Sequence, residues 1–254
     1  MPGILVTGGA RRIGAAISRH LAQAGLPVVI HHHTGAAEAA ALAAEIRAAG
    51  GQAWTVAADL ADAGAAAALP ARAAALCGGL HGLVNNASLF LYDTPSDFEA
   101  EQFARQAAVN LLAPALLTKG FAALLPEGAE GAVVNLLDNR LFAPNPDYFI
   151  YALGKYGLAG MTEMAALHFA PRIRVNAVAP AITLVSGEQS QANFERAHRN
   201  NPLNAGVEPL DVAEAVLFLL RARRVTGEVL VVDAGQKLRR RGRDVAFPVE
   251  GRAP

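Results

Sequence analysis

The chain alternates short, nearly uninterrupted apolar runs with longer Ala-rich stretches of helical character. The apolar runs at residues 3–7, 27–31, 52–57, 80–85, 132–137, 173–179 and 228–232 predict seven strands. Helices are predicted between them over residues 13–24, 36–49, 102–125, 148–170 and 211–221, and the Ala-rich 61–75 reads as a plain surface helix. Gly25 and the pair Gly50-Gly51 supply C-terminal stops for the first two helices. Strands that are apolar on both sides and regularly separated by helices imply a parallel sheet covered on both faces, an α/β fold.

Length and composition narrow this further. A chain of 254 residues with 53% hydrophobic and 17% charged residues has material for one sizeable core. We therefore expect one domain over residues 1–237 and a separate basic tail over 238–254, where Arg239, Arg240, Arg241 and Arg243 cluster. That tail is either a solvated terminus or a segment that docks on a neighbouring subunit. A formal net charge of zero argues against a general partner of nucleic acid or anionic membrane. The single cysteine, Cys77, excludes an internal disulfide framework and fits a reducing compartment. The N-terminus enters a strand directly, and the apolar runs are broken by Gly, Pro or charge before the roughly 18 residues of a membrane span. A soluble, cytoplasmic protein is expected.

Candidate chemistry begins at the end of the first strand, in Thr7-Gly8-Gly9-Ala10-Arg11-Arg12-Ile13-Gly14, with a helix following at once. Small residues let the backbone turn tightly and approach a pyrophosphate, which the helix N-terminus and its dipole then face. An ordinary strand-to-helix turn is the structural alternative. NAD-binding units place an acidic residue at the end of strand two to accept from the ribose hydroxyls. Here that position reads His31-His32-His33-Thr34-Gly35, with Arg11 and Arg12 nearby and no carboxylate between Leu26 and Ala37. Such an environment suits a 2′-phosphate and favours NADPH. Three consecutive histidines on a strand alternate in direction and cannot converge on one metal ion.

Tyr151 and Lys155 stand at i and i+4 of a predicted helix and so share a face. A phenol is a poor acid–base group near neutrality unless a cation lowers its pKa, and Lys155 is placed to do so. A surface Tyr resting on a Lys stem is the structural alternative.

With these residues assembled, Thr7-Gly8 to Gly14, Asn85-Asn86-Ala87, Asn110, Tyr151 with Lys155, Arg174-Val175-Asn176 to Pro180, and Val232-Asp233-Ala234-Gly235 resemble the short-chain dehydrogenase/reductase family over nearly the whole chain. The resemblance implies a Rossmann fold with a doubly wound parallel sheet, and a homotetramer. It also implies a proton relay through Asn110, adenine contacts from Asp59 and Leu60, and a cofactor groove lined by Gly8, Arg11, Ile13, Gly14, His32, His33, Thr34, Asn86, Ala87, Ser88 and Pro180.

Two departures from the common family pattern stand out. Arg12 occupies the middle of the loop where the family usually has Gly, and Asp138 stands where a catalytic Ser is usual, 13 residues before Tyr151. An Asp can deliver a proton or pair with a cationic heterocycle, which a Ser does not do. Both changes, the His-rich end of strand two, and Asn85-Asn86-Ala87-Ser88 followed by Phe90 are similar to the pteridine reductase branch, which includes dihydromonapterin reductases. That resemblance implies NADPH-dependent reduction of a pterin. Phe90 would stack on the ring, Arg12 would bridge cofactor phosphate and substrate, and Asp138 and Tyr151 would deliver the proton. Thr183, in the segment after Pro180, is a further candidate substrate contact. Phe90 as a buried loop aromatic and Asp138 as a cap or turn residue are the structural alternatives. The rival functions are a general carbonyl reductase acting on a ketone, sugar or acyl thioester, and a cofactor-sensing binding module.

Overall fold

The computed structural model describes residues 1–185 and 189–247; the last seven positions of the expected basic tail lie outside them. Seven strands, β1 (Gly3–Val6), β2 (Val28–His32), β3 (Ala53–Ala57), β4 (Leu80–Asn85), β5 (Gly131–Leu136), β6 (Ile173–Pro180) and β7 (Val229–Val232), pair in one all-parallel sheet. Every strand lies within one residue of its sequence-based bounds. The order is β3-β2-β1-β4-β5-β6-β7. The order reverses between β1 and β4, leaving a crevice beyond the carboxyl ends of those strands, where such sheets bind ligands.

Helices α1 (Arg12–Gln23), α2 (Ala36–Ala48), α3 (Ala63–Cys77), α4 (Ala100–Ala107), α5 (Ala113–Leu124), α6 (Phe149–Phe169), α7 (Gln191–His198) and α8 (Pro209–Arg221) fill the connections. Alternation along β1 divides the core: Ile4 and Val6 pack with Ile17, Leu21, Leu42 and Val216 from α1, α2 and α8. Leu5 points the other way, into a cluster with Leu69, Leu117 and Phe121 from α3 and α5. α3 lies on the surface as its composition suggests, with Ala66, Leu69 and Ala73 on the face that it buries against the sheet. α3 starts at Asp62, whose side chain accepts from the Ala65 N–H, and stops at Gly78 with φ 73°.

α4 and α5 form one long helix interrupted by a π-helical turn over Ala108–Leu112. This helix, Ala100–Leu124, is long and apolar enough to cross a membrane by length and composition, although Arg105, Pro114, Lys119 and Gly120 break its apolar run as expected. Its Leu117 and Phe121 are buried in the core beside the sheet, as in a helix of a covered sheet layer.

Candidate active site

Segments leaving the carboxyl ends of all seven strands surround one cavity of about 1450 Å³. The phosphate loop comes from β1. Gly8 has φ +58°, and at Gly14 a Cβ would meet the Gly8 carbonyl at 2.1 Å, so only glycine allows this contact of loop and helix. Asn86, at the end of β4, fastens the loop from behind by donating to the Thr7 and Gly8 carbonyls at 2.8 and 3.2 Å. The first turn of α1 carries no acidic residue, so its N–H groups face the cavity without competing negative charge.

The loop is also held by a residue not singled out from the sequence. His31 Nδ1 accepts the Gly8 N–H at 3.0 Å, while Nε2 lies 3.1 Å from the Ala58 carbonyl. Those partners assign the proton to Nε2. Burial depresses the His31 pKa to about 4 and keeps the imidazole neutral. The signal in the sequence was the strand period, which directs His31 inward when its neighbour points away.

Arg11 and Arg12 diverge. Arg11 lies over Gly35 and pairs with Glu38, at the cavity end beyond β2. Arg12 adopts φ 54° and donates to the Val185 carbonyl at 2.7 Å, at the opposite end. His33 stands 3.8 Å from Asp59, and His32 Nδ1 is buried without a hydrogen-bond partner among the described residues. Ile13, Thr34, Leu60, Ala87, Ser88 and Pro180 line the same cavity.

The reactive end is built on α6 and the β5 exit. Asp93 Oδ1 accepts the Ile150 N–H at 3.0 Å and so fixes the start of α6. One residue later Tyr151 donates from its hydroxyl to Asp138 Oδ2 at 3.0 Å. Asp138 Oδ1 accepts from the Arg140 N–H at 2.9 Å, which sets the carboxylate in its turn. Lys155 donates to the Leu136 carbonyl at 2.6 Å, and its Nζ is 5.4 Å from the Tyr151 ring centre. Burial lowers the Lys155 pKa to about 8, opposed by the negative charge of Asp138.

The expectation that Lys155 lowers the Tyr151 pKa is not met. Burial first, and then the Asp138 charge, push the phenol well above its ordinary value. The hydroxyl faces a carboxylate rather than the ammonium, so Tyr151 is held with its proton on.

Asn110, which the resemblance assigns to a proton relay, has its side chain fully engaged in holding the wall beside it. It sits at the centre of the π turn, 1% exposed, and its side chain bonds Ser88 Oγ, the Leu89 N–H and the Leu89 carbonyl at 2.8–3.0 Å. The side chain holds the wall that carries Phe90 rather than standing among the cavity-lining groups. Phe90 stacks on Tyr148 at 4.0 Å between ring centres and meets Tyr151 edge-on at 4.7 Å. Thr183 lines the cavity, but its hydroxyl is turned to the Ala181 carbonyl at 2.8 Å.

The segment after β7 returns to this site. Described residues up to Phe247 touch Tyr92, Tyr148 and Asp147 of their own chain, an arrangement that neither expectation for the basic tail foresaw.

Residues 8–237 match the family described as enoyl-(acyl carrier protein) reductase. Pteridine reductase 1 of Leishmania tarentolae is 32% identical, over 94% of this chain and 97% of that one. L-rhamnose 1-dehydrogenase (NAD(P)(+)) of Azotobacter vinelandii is 33% identical, over 91% and 95%. The crystal structure of FolM alternative dihydrofolate reductase 1 from Brucella canis, complexed with NADP, superposes with a TM-score of 0.90 at 40% identity, covering 94% of each chain.

Proposed function

The chain belongs to the short-chain dehydrogenase/reductase family, and from that premise we propose that it is an NADPH-dependent pteridine reductase. The observation that carries this reading is the hydrogen bond between Tyr151 and Asp138. Ketone chemistry asks for a neutral donor at a carbonyl oxygen, whereas reduction of a C=N bond in a pterin asks for a proton at ring nitrogen, which a carboxyl and phenol pair supplies. The pteridine reductase and alternative dihydrofolate reductase relatives support the same substrate class.

The residues present fit the cofactor. The glycine-turned loop, the uncluttered start of α1 and the Arg11 side chain make a donor-rich cationic end suited to phosphates. In this reading His32, His33 and Thr34 face the adenosine ribose, Asp59 and Leu60 the adenine, and Asn86, Ala87, Ser88 and Pro180 the remaining groove. NADPH supplies the hydride when bound. Lys155 orients the nicotinamide ribose with an ammonium held in place by the Leu136 carbonyl. Phe90 presents a flat face to the pterin, and Arg12 reaches from the phosphate loop toward substrate. Tyr151 keeps its proton until the ring nitrogen takes it, Asp138 holds the phenol in line by accepting its hydrogen bond, and solvent entering the open cavity returns the proton after turnover. Asn110 acts as a positioning residue for the 88–90 wall, and Thr183 closes the side of the site.

Oxidation of NADPH by the purified protein tests this reading, with dihydrobiopterin, dihydromonapterin, dihydrofolate and a panel of simple ketones side by side. Turnover confined to the pterins is expected. Turnover confined to ketones would favour a general carbonyl reductase. Absence of any turnover would leave a cofactor sensor.

The proposal extends to a cytoplasmic homotetramer. Met164 and Leu167 on α6 are 68% and 84% exposed, and a second copy is the simplest cover for them. Light scattering of the purified chain reads the assembly directly.

A further inference from the structure

Arg140, two residues beyond Asp138, is only 7% exposed and faces two carboxylates. Its two terminal nitrogens donate to the Asp147 carbonyl and to Asp244 Oδ2, each at 2.6 Å. Its Nε is buried without a hydrogen bond, 3.7 Å from Asp138 Oδ1. The guanidinium is thus bonded to Asp244 and merely near Asp138. The rings of Tyr148 and Tyr151 lie 5.3 and 5.7 Å from its centre and complete the enclosure.

Asp244 belongs to a segment that is fastened independently of Arg140. Arg243 Nε donates to both carboxylate oxygens of Asp147 at 2.9–3.0 Å, and the Asp244 N–H donates to Asp147 Oδ2 at 2.7 Å. Asn193, on α7, donates to the Ala246 carbonyl at 2.8 Å. Phe247 meets Tyr92 at 5.5 Å and lies parallel to Tyr148 at 6.4 Å, and Tyr148 in turn stacks on Phe90. A continuous aromatic line therefore runs from this segment to the ring proposed to hold the substrate.

A buried guanidinium is satisfied by carboxylates within reach, and a close bidentate pair forms when geometry permits. Without Asp244, the nearest carboxylate to Arg140 is Asp138. Turning toward it would draw Asp138 off Tyr151.

We propose that residues 242–247 form a wall of the substrate site of their own chain, and that Asp244 is a positioning residue which, by engaging Arg140, leaves Asp138 free to hold Tyr151. The proposal rests on the pteridine reductase reading for the nature of the ring that the wall faces. The other charged or titratable groups packed around the pair are Asp147, Arg243, Tyr92, Tyr148 and Lys155.

The test compares the full chain with Asp244→Ala and Asp244→Glu. With Asp244→Ala, kcat/KM for a dihydropterin should fall about 30-fold, through kcat as well as KM, since a small misplacement of a reacting group is costly. NADPH affinity should stay within about twofold, because the phosphate loop is remote from the change. Amide hydrogen exchange over residues 242–247 should quicken about tenfold, the readout of lost docking. Asp244→Glu should recover kcat/KM to within about fivefold of the parent, which mere disturbance of packing would not allow. If Asp244→Ala does not fold, Asp244→Asn takes its place with the same directions expected. Unchanged kcat/KM or unchanged exchange overturns the proposal, as does a Glu variant no better than Ala. A parent chain inert toward every pterin overturns the reading of the reaction, and the wall with it; a parent that reduces pterins while Asp244→Ala matches it overturns the wall alone.

Discussion

Tyr151 gives its hydroxyl proton to a hydrogen bond with Asp138 Oδ2 across 3.0 Å, and Lys155 is absent from that bond. The phenol and the carboxylate form the proton-handling unit, and the ammonium is held separately by the β5 exit. Asp138→Asn should therefore lower pterin reduction by about 10²–10⁴, the usual contribution of a positioned acid–base group. NADPH affinity should remain within about twofold by fluorescence titration. Retained activity in this variant would remove Asp138 from the mechanism.

The depressed Lys155 pKa of about 8 gives a pH dependence of defined sign. The ammonium form prevails below that value, so kcat/KM should be level near neutrality and fall as pH rises through about 8. Asp138 raises the Lys155 pKa. Any residual activity of Asp138→Asn should then decline at a lower pH than in the parent. A profile level up to pH 10 would show that Lys155 does not need its charge.

His31 links the phosphate loop to acid stability. Its pKa is about 4 in the fold against the ordinary histidine value of 6.5, so the neutral form is preferred and the group stabilises the fold above pH 6.5. That contribution is lost as pH falls through about 4, and amounts to about 3 kcal/mol across the window. Urea unfolding of His31→Gln should show a flatter dependence between pH 4 and 6.5 than the parent. Gln retains an acceptor for the Gly8 N–H, so NADPH binding at pH 7 should weaken less than in His31→Leu.

Arg12 holds φ 54°, a conformation that costs an L side chain about 1–2 kcal/mol. Arg12→Gly relieves this while adding backbone freedom in the unfolded chain, and the two effects oppose each other. Chemical denaturation should place the variant within about 1 kcal/mol of the parent. KM for pterin should nonetheless rise about tenfold or more if the guanidinium reaches substrate. An unchanged KM would make Arg12 a loop residue alone.

The sheet was legible because parallel strands buried on both faces write unbroken apolar runs, as in Leu83-Val84 and Val133-Val134. The cradle was legible from Gly8 and Gly14, whose geometry nothing else allows. The Tyr151–Lys155 spacing gave the shared helix face but not the direction of each tip, and the expected charge effect on the phenol failed on that point. Arg140 and Asp244 are 104 residues apart and belong to no local pattern, so their pairing is visible only in three dimensions. The short, polar α7 and the turn at Asn110 carry no strong propensity signal, and both were missed.

That turn has a consequence for how this chain can change. A π turn accommodates one residue more than a regular helix, and each residue of an α-helix advances about 100° around its axis. Deleting any one residue between Phe103 and Asn110 would restore a regular helix but rotate Asn110 away from Ser88 and Leu89, unfastening the wall that carries Phe90. Point substitutions on the outer surface of the same stretch leave the spacing intact. In this helix a change in residue number should therefore be far less tolerable than a change in residue type.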